Sequence, residues 1–235
     1  SVTACDFNGD GFTDVAAGAY NAEDRTRNPQ SVNQGGVFVF LGHDRGLPAE
    51  ANIIRWGDLP DGAGGFQGQA NLHLSPALAA GDVDGDGACD LIAASHEYDA
   101  ASFNDGMLYV YAGIAANGDS SGGLSREPVL AFSNQDASDT GGQLGRTVAA
   151  GDLNGDGRAE IAASNHLFDA GNSDNWGAVR VWSGRAFQGP ATELVAAYPA
   201  DFEVIGDNAQ DQAHFWVRIA EATGDNLADL VTGSL

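Results

Sequence analysis

One motif occurs three times at nearly constant spacing, and this repeat constrains the fold more than any other feature of the 235-residue chain. The segments SVTACDFNGDGFTDVAAGA from Ser1, PALAAGDVDGDGACDLIAAS from Pro76 and RTVAAGDLNGDGRAEIAAS from Arg146 align without gaps. A fourth segment, RIAEATGDNLADLVTGS from Arg218, keeps the frame but has lost most of the loop pattern. Such a repeat indicates structural units that bury their apolar faces against one another.

Each repeat contains further apolar runs that predict short β-strands. The runs GGVFVFLG, GMLYVYAG and GAVRVWSG begin at Gly35, Gly106 and Gly177, and the weaker runs ANIIRW, EPVLAF and TELVAAY begin at Ala51, Glu127 and Thr192. Alternating β-branched and aromatic residues between glycines are typical of strands. The alanine-rich runs VAAGA and LIAAS are too short for helices, which need about 10 to 12 residues. Each repeat therefore predicts about four strands, the content of one propeller blade.

These patterns predict an all-β fold, a β-propeller of four-stranded blades with about three and a half blades present. The 33 glycines and the 43% hydrophobic content agree with many short strands joined by turns. We expect a single partial propeller over residues 1–235. The approximate blades are 1–60, 76–133, 146–199 and an incomplete 216–235.

The glycine-bearing loop of each repeat predicts a metal site. Counted from the first acid, oxygen-bearing side chains stand at positions 1, 3, 5 and 9, and position 7 can add a backbone carbonyl. The first loop offers Asp6, Asn8, Asp10, Phe12 and Asp14; the second Asp82, Asp84, Asp86, Ala88 and Asp90; the third Asp152, Asn154, Asp156, Arg158 and Glu160. Calcium prefers six to eight hard oxygen ligands. We therefore expect about three calcium ions.

Other interpretations of these loops are weaker. An EF-hand requires a glutamate at position 12, where this chain has Ala17, Ala93 and Ala163. Magnesium rarely takes so complete a set of protein ligands, and soft metals would need histidine or cysteine. A single Asp-Gly-rich loop could be only a turn, but three in register favour metal binding. The fourth loop, Glu221 to Asp229, is expected to bind calcium weakly or not at all.

Charge and apolar content exclude several partners. The net charge of −23 argues against nucleic acid and against an anionic membrane surface. No run approaches the ~20 apolar residues of a membrane span, so we expect no direct membrane insertion. Two cysteines are too few for a disulfide scaffold, and Cys5 is expected to be a small strand residue.

The loops resemble the FG-GAP repeats of integrin alpha subunits and of secreted bacterial proteins. The family pattern is Phe-Gly, a strand, a D-x-[DN]-G-D-G-x-x-D loop, a second strand and Gly-Ala-Pro. Its last element corresponds here to Gly18-Ala19-Tyr20, and its first to Leu144-Gly145. The resemblance implies a seven-bladed propeller, with calcium loops on one face and ligands approaching the opposite face. It also implies a secreted or cell-surface location and a role in adhesion.

Seven blades of this size need more residues than the chain supplies. The missing blades are expected from the rest of a longer chain or from another subunit, and we favour the longer chain. The loops between second and third strands are the candidate surface for a protein or carbohydrate ligand. They are Tyr20 to Gln34, His96 to Asp105 and Asn165 to Trp176, with Glu97, Tyr98, Phe103, Phe168, Asp169 and Trp176. The alternative, which we slightly favour, is that these rings only pack the loops onto the blades.

The sequence assembles no catalytic residues, which favours a binding module over an enzyme. Of the five histidines, His96 and His166 are the best catalytic candidates, and we expect them to be surface loop residues. The alternative is a polysaccharide lyase or hydrolase, or an accessory module of one. It stays open because folding could bring loop acids to the separation that glycoside hydrolysis needs.

Overall fold

A computed structural model describes most of the chain. The described residues are 1–24, 32–60, 66–68, 71–99, 104–117, 122–133, 141–169, 175–189, 195–196, 199–207, 215–225 and 227–234. All regular secondary structure in these ranges is β-strand. The same ranges include no helix with the length and hydropathy needed to cross a bilayer.

The first sheet has four antiparallel strands in chain order. They are β1 (Val2–Cys5), β2 (Asp14–Ala19), β3 (Gly36–Phe40) and β4 (Ile53–Trp56). A small hairpin of β5 (Asp58–Pro60) and β6 (Phe66–Gly68) follows, within the segment between the first two repeats. The alanine-rich run VAAGA forms β2, so the strand prediction for it is confirmed.

The second sheet repeats this order. It begins with β7 (Ala77–Gly81), β8 (Asp90–Ser95) and β9 (Met107–Tyr111). A two-stranded hairpin, β10 (Gly113–Ile114) and β11 (Gly123–Leu124), precedes the outer strand β12 (Leu130–Ser133), which pairs with β9. The weak runs in the first two repeats therefore form outer strands, as the sequence predicts.

The third sheet corrects one strand prediction. It contains β13 (Leu144–Gly151), β14 (Glu160–Asn165) and β15 (Ala178–Trp182), and two more strands follow, β16 (Val195–Ala196) and β17 (Phe202–Ile205). The outer strand is β17, not the run TELVAAY. That run contributes β16, which pairs in parallel with β12 of the second sheet. The prediction followed the more apolar run, but an outer strand is half solvated and needs few apolar residues.

The sheets pack face to face around an axis, which is the arrangement of propeller blades. The last two strands, β18 (Trp216–Ala220) and β19 (Asp229–Gly233), form a two-stranded fourth sheet. The first strands β1, β7, β13 and β18 lie beside one another in that order. In β8, Leu91 and Ala93 pack between the first and second sheets, whereas Ile92 and Ala94 pack between the second and third. The predicted all-β propeller architecture is confirmed.

A disulfide joins the first two sheets, contrary to the sequence expectation for Cys5. Cys5 ends β1, and its partner Cys89 stands 84 residues later, just before β8, with the two Cα atoms 6.1 Å apart. At the next junction Gly81 occupies the equivalent place, where an added Cβ would lie 2.8 Å from the Cβ of Ala159. Sequence spacing could not show this pairing because it depends on how the sheets pack.

Candidate functional site

The three predicted metal loops share one pattern of hydrogen bonds. In the second loop Asp82 Oδ1 accepts from the backbone N–H groups of Gly85 at 2.7 Å and Asp86 at 3.0 Å, and Oδ2 accepts from Gly87 at 2.9 Å. Asp152 makes the same three bonds in the third loop. Asp6 accepts from the corresponding positions 5 and 6 in the first loop. Position 1 therefore fixes the curvature of each loop.

The side chains at positions 3 and 5 turn toward the same centre. Asp84 Oδ1 accepts from Asp86 N at 3.1 Å, and Asp86 Oδ1 accepts from Ala88 N at 2.9 Å. One oxygen from each of Asp82, Asp84 and Asp86 lies within 4.8 Å of the others, a grouping that could hold a metal ion. The first and third loops have Asn8 and Asn154 at position 3 and so offer one carboxylate fewer.

Position 9 is a buried carboxylate held by two backbone N–H groups. Asp14 Oδ2 accepts from Phe7 at 2.8 Å and Oδ1 from Gly42 at 2.7 Å. Asp90 accepts in the same way from Val83 at 2.7 Å and Gly113 at 2.8 Å. Glu160 accepts from Leu153 N and Asn154 Nδ2, with Gly184 N more distant at 3.5 Å. Each carboxylate oxygen has two lone pairs, so these bonds leave capacity for a metal.

Sequence reasoning missed the glycines that donate to position 9. Gly42, Gly113 and Gly184 each lie two residues after the last residue of a third strand. A Cβ on Gly113 would lie 2.5 Å from the Cys89 carbonyl oxygen, and one on Gly184 would lie 2.5 Å from the Arg158 Cβ. The signal was present, because each glycine is the last residue of a predicted third-strand run.

The environment of these carboxylates disfavours their charge. Burial is the main cause that raises the pKa of Asp90 to about 7, and backbone N–H bonds from Gly113 and Val83 only partly offset it. Burial also raises the pKa values of Asp14 and Asp84. Asp152 differs, because a backbone N–H from Gly157 lowers the pKa of its carboxyl. A divalent cation would favour the ionised form of such groups.

The fourth loop keeps part of the same framework. Asp229 Oδ2 accepts from the N–H groups of Ala222 at 2.8 Å and Thr223 at 3.0 Å, and Asp225 Oδ1 accepts from Leu227 N at 2.9 Å. Glu221 accepts from Gly224 N. The bonds at position 9 thus persist where the metal-loop sequence has decayed, which indicates that they support the fold.

Neighbouring loops also contact one another. Cys89 N donates to Asp6 O at 2.9 Å, and Ala159 N donates to Asp82 O at 2.6 Å. Both bonds run from position 8 of one loop to position 1 of the preceding loop. The first and second metal loops are therefore each supported by the next sheet as well as by their own.

The predicted ligand loops leave the opposite ends of the second strands. In these loops Phe168 is buried beneath the Arg180 guanidinium at 5.1 Å, and Asp169 accepts from Asn175 N at 2.8 Å. Tyr98 packs on the core between the first two sheets. These side chains therefore pack the loops onto the sheets. Residues 25–31, 100–103 and 170–174 of these loops, with Phe103 among them, lie outside the described residues.

Three residues of the predicted ligand loops, Tyr20, His96 and Glu97, converge on that face with His73 and Arg146. Tyr20 stacks on His73 with ring centroids 4.3 Å apart, and its hydroxyl donates to Glu97. His73 Nδ1 lies 2.9 Å from Glu97 Oε2, and His96 Nε2 lies 3.7 Å from Glu97 Oε1. We call Tyr20, His73, His96, Glu97 and Arg146 the polar cluster.

The two histidines expected on the surface are buried. His96 Nε2 lies 2.8 Å from Arg146 Nη1, so the imidazole nitrogen accepts and the ring is neutral. Arg146 also lies over the Phe215 ring at 5.3 Å, and His166 meets the edge of that ring at 5.0 Å. Burial, followed by the nearby Arg146 charge, lowers the pKa values of His96 and His166 to about 4. The expectation of surface residues is wrong because neighbouring sheets close over them.

Comparison with known families identifies the repeat. The FG-GAP repeat family matches residues 1–40 and 144–182, which contain the first and third metal loops with their flanking strands. These two segments are FG-GAP repeats. The resemblance carried by the loop sequences is thereby confirmed, and the FG-GAP repeat is the propeller-forming repeat of integrin alpha subunits.

The similar proteins are much longer than this chain. Human phosphatidylinositol-glycan-specific phospholipase D is 28% identical over 242 residues, which cover 100% of this chain and 26% of that protein. The mouse protein of the same name is 29% identical over 235 residues, covering 99% and 25%. The chain therefore spans about a quarter of these curated relatives.

A solved structure supports the architecture alone. Bacillus licheniformis rhamnogalacturonan lyase PL11 superposes with a TM-score of 0.53 over 99% of this chain and 39% of that chain. The two sequences are 12% identical, so the likeness concerns the fold.

Proposed function

We propose that the loops at residues 6–14, 82–90 and 152–160 each bind one calcium ion and that the ions stabilise a propeller segment whose opposite face binds a ligand. The observation that carries the proposal is the convergence of Asp82, Asp84 and Asp86 in a loop whose hydrogen bonds recur in the other two. All donors are hard oxygens, which suits calcium. Positions 1, 3, 5 and 9 would supply side chains and position 7 a backbone carbonyl.

Calcium would contribute charge neutralisation. The second loop gathers four acidic side chains, and the first and third gather three each beside an asparagine. Some of these acids are buried, which disfavours their charge. A bound divalent cation offsets both the repulsion and the desolvation cost. Because the cation binds the folded loops and not the unfolded chain, it raises the free energy of unfolding. The fourth loop would contribute little, because Thr223 stands at position 3 and Asn226 replaces the second glycine.

The role that fits best is an exported binding module for a protein or glycan, including an adhesive function. The Cys5–Cys89 disulfide supports export, because such bonds persist in oxidising compartments. Relatives named for a phosphatidylinositol-glycan-specific phospholipase D support a module within a longer, glycan-directed protein. Further blades would come from that longer chain or from a second subunit, and the described residues would form one partial propeller.

The alternative is action on a polysaccharide, and the polar cluster is the observation that favours it. Glu97, His73 and Tyr20 are groups able to transfer protons, and they lie within contact of one another. Incubation with acidic and neutral polysaccharides, followed by detection of new reducing ends and unsaturated uronates, separates the alternatives. Cleavage that is lost in Glu97→Gln would support an enzyme, whereas its absence would support the binding module.

The calcium proposal is tested by counting ions and measuring stability. Metal analysis of the dialysed protein should give about three calcium ions per chain, and chelation should lower the melting temperature clearly. The variant Asp82→Asn/Asp86→Asn should retain about two ions, because it removes two ligands from one loop. Asp225→Asn is the matched control in the fourth loop and should leave the count unchanged. A protein that binds no calcium, or whose melting is unaffected by chelation, would refute the proposal.

A further inference from the structure

The structure points to a binding site for an anionic sugar in the cavity at the start of the first strands, on the face opposite the metal loops. By an anionic sugar we mean a saccharide or cyclitol that carries a carboxylate or phosphate group. The cavity has a volume of about 400 Å³ and is lined by residues of all four sheets, including Ala77, Arg146, Thr147, Phe215, Trp216 and Arg218. This volume lies within the range of small-molecule sites. The inference specifies the ligand class of the binding module proposed above.

The charge of the cavity is opposite to that of the chain. The protein has 33 acidic and 10 basic residues, yet two arginines and no acidic residue stand among the described residues that line the cavity. Surface charges interact over about 8 Å at physiological ionic strength. The two guanidinium groups can therefore attract a small anion despite the net charge, whereas a long polyanion would be repelled by the rest of the surface.

Arg146 is held in place by neutral groups. Its Nη1 donates to His96 Nε2 at 2.8 Å, and its guanidinium lies over the Phe215 ring. His96 is itself buried and its pKa is lowered to about 4, so it carries no charge at neutral pH. These contacts fix the side chain without cancelling its charge. A guanidinium prepared in this way can bind a carboxylate or phosphate through paired hydrogen bonds.

Arg218 is similarly free of an acidic partner. Its Nη1 donates to the Val217 carbonyl oxygen at 2.8 Å. Across the described ranges, neither Arg146 nor Arg218 forms an ion pair with a carboxylate. The arginines that do form such pairs in the described ranges lie outside the cavity: Arg126 with Glu127, Arg180 with Glu203 and Arg185 with Asp201.

The wall between the arginines suits the apolar face of a sugar ring. Phe215 and Trp216 both line the cavity and are in edge contact with centroids 5.4 Å apart. Aromatic rings beside polar groups are typical of recognition surfaces. Thr147 fixes this wall, because its Oγ1 donates to Phe215 O and accepts from Val217 N, both at 3.1 Å. The site therefore combines two cationic groups with a firmly placed aromatic surface.

The metal loops do not take part in this site. They follow the first strands, and a five-residue strand such as β7 separates its two ends by about 15 Å. Calcium would support the site through the sheets without touching the ligand. Binding of the sugar and binding of calcium can therefore be measured separately.

The test is calorimetric titration of the calcium-loaded protein with three probes. Trigalacturonate presents carboxylates, myo-inositol 1-phosphate presents a phosphate, and galactotriose is the neutral control. We expect at least one anion to bind and galactotriose not to bind. Arg218→Gln and Arg146→Gln should each weaken binding about tenfold or more, because each removes a hydrogen bond between two charged groups. Binding of one anion or of both shows whether the site takes a carboxylate, a phosphate or either group.

Arg185→Gln is the matched control, because it removes the same charge away from the cavity. It should bind the anion as the unmodified protein does. Arg218 is exposed, so its variant is expected to fold, and an unchanged calcium count verifies this. Absence of binding by both anions, equal binding of galactotriose, or unchanged affinity in both cavity variants would overturn the inference. With the calcium count intact, such a result would leave the calcium proposal standing.

Discussion

The two faces of the sheets are built in different ways. At one face each metal loop is organised within nine residues by the same bonds, as Asp82 and Asp152 show atom by atom. At the other face the polar cluster combines residues from four separate segments, and only Tyr20 and His96 stand at the same position of the repeat, directly after the second strand. The first face is a local structure copied three times, whereas the second exists only after the sheets have packed.

The largest expected effect concerns Gly113, which lies just after a third strand and donates its N–H to the position-9 carboxylate of Asp90. Gly113→Ala should lower the free energy of unfolding by about 3–5 kcal/mol, because the new Cβ overlaps the Cys89 carbonyl and displaces the N–H that Asp90 accepts. Urea unfolding in calcium, with the ion count, measures it.

Gly233→Ala is the control for that experiment. An added Cβ there meets no atom within 4 Å, so the free energy of unfolding should change by no more than about 0.5 kcal/mol. If both substitutions were equally harmless, position 9 would not depend on the neighbouring third strand. The metal loops would then depend on neighbouring strands even less than the structure indicates, and they would differ more from the opposite face, which depends on packing between sheets.

The sequence predicts the locally built face well and the other poorly. The fifteen proposed ligands lie in three loops of the predicted form, and β1 to β4 follow the predicted strand pattern, because both depend on neighbours in the chain. Calcium coordination itself stays a prediction. The Cys5–Cys89 bond, the buried state of His96 and the pairing of Val195–Ala196 with β12 could not be predicted. Each depends on contacts between sheets that no spacing encodes.

The disulfide tests how far the metal face relies on contact between sheets. Cys5→Ala/Cys89→Ala should lower the free energy of unfolding by about 2–4 kcal/mol, since the bond closes a loop of 84 residues in the unfolded chain. Urea unfolding under non-reducing conditions measures the difference. We also expect weaker calcium binding in the first two loops, because Cys89 N donates to Asp6 O beside the bond. The third loop, supported by Ala159 and Asp82 instead, should keep its affinity. Equal weakening of all three would show that the loops do not act locally.

The smallest expected effect is a dependence of stability on pH that arises from His96 on the face opposite the metal loops. The pKa of His96 is lowered from 6.5 to about 4 by burial first, then by Arg146, against opposing charge from Glu97. The unfolded chain therefore binds a proton that the folded chain resists, and stability is fully present above pH 6.5 and falls as the pH falls toward 4.

Between pH 6.5 and about pH 5.5 this one imidazole should cost about 1 kcal/mol of unfolding free energy. His96→Gln keeps an acceptor for Arg146 but does not titrate. In saturating calcium its free energy of unfolding should therefore fall by about that much less over this pH range than the free energy of the unmodified protein. His43→Gln replaces a histidine of the exposed turn after β3 and should follow the unmodified curve. Because the loop acids are identical in all three proteins, their protonation cancels in the comparison. Parallel curves for His96→Gln and the unmodified protein would mean that His96 is already open to water, and the guanidinium of Arg146 would then lack the neutral, buried partner that fixes it.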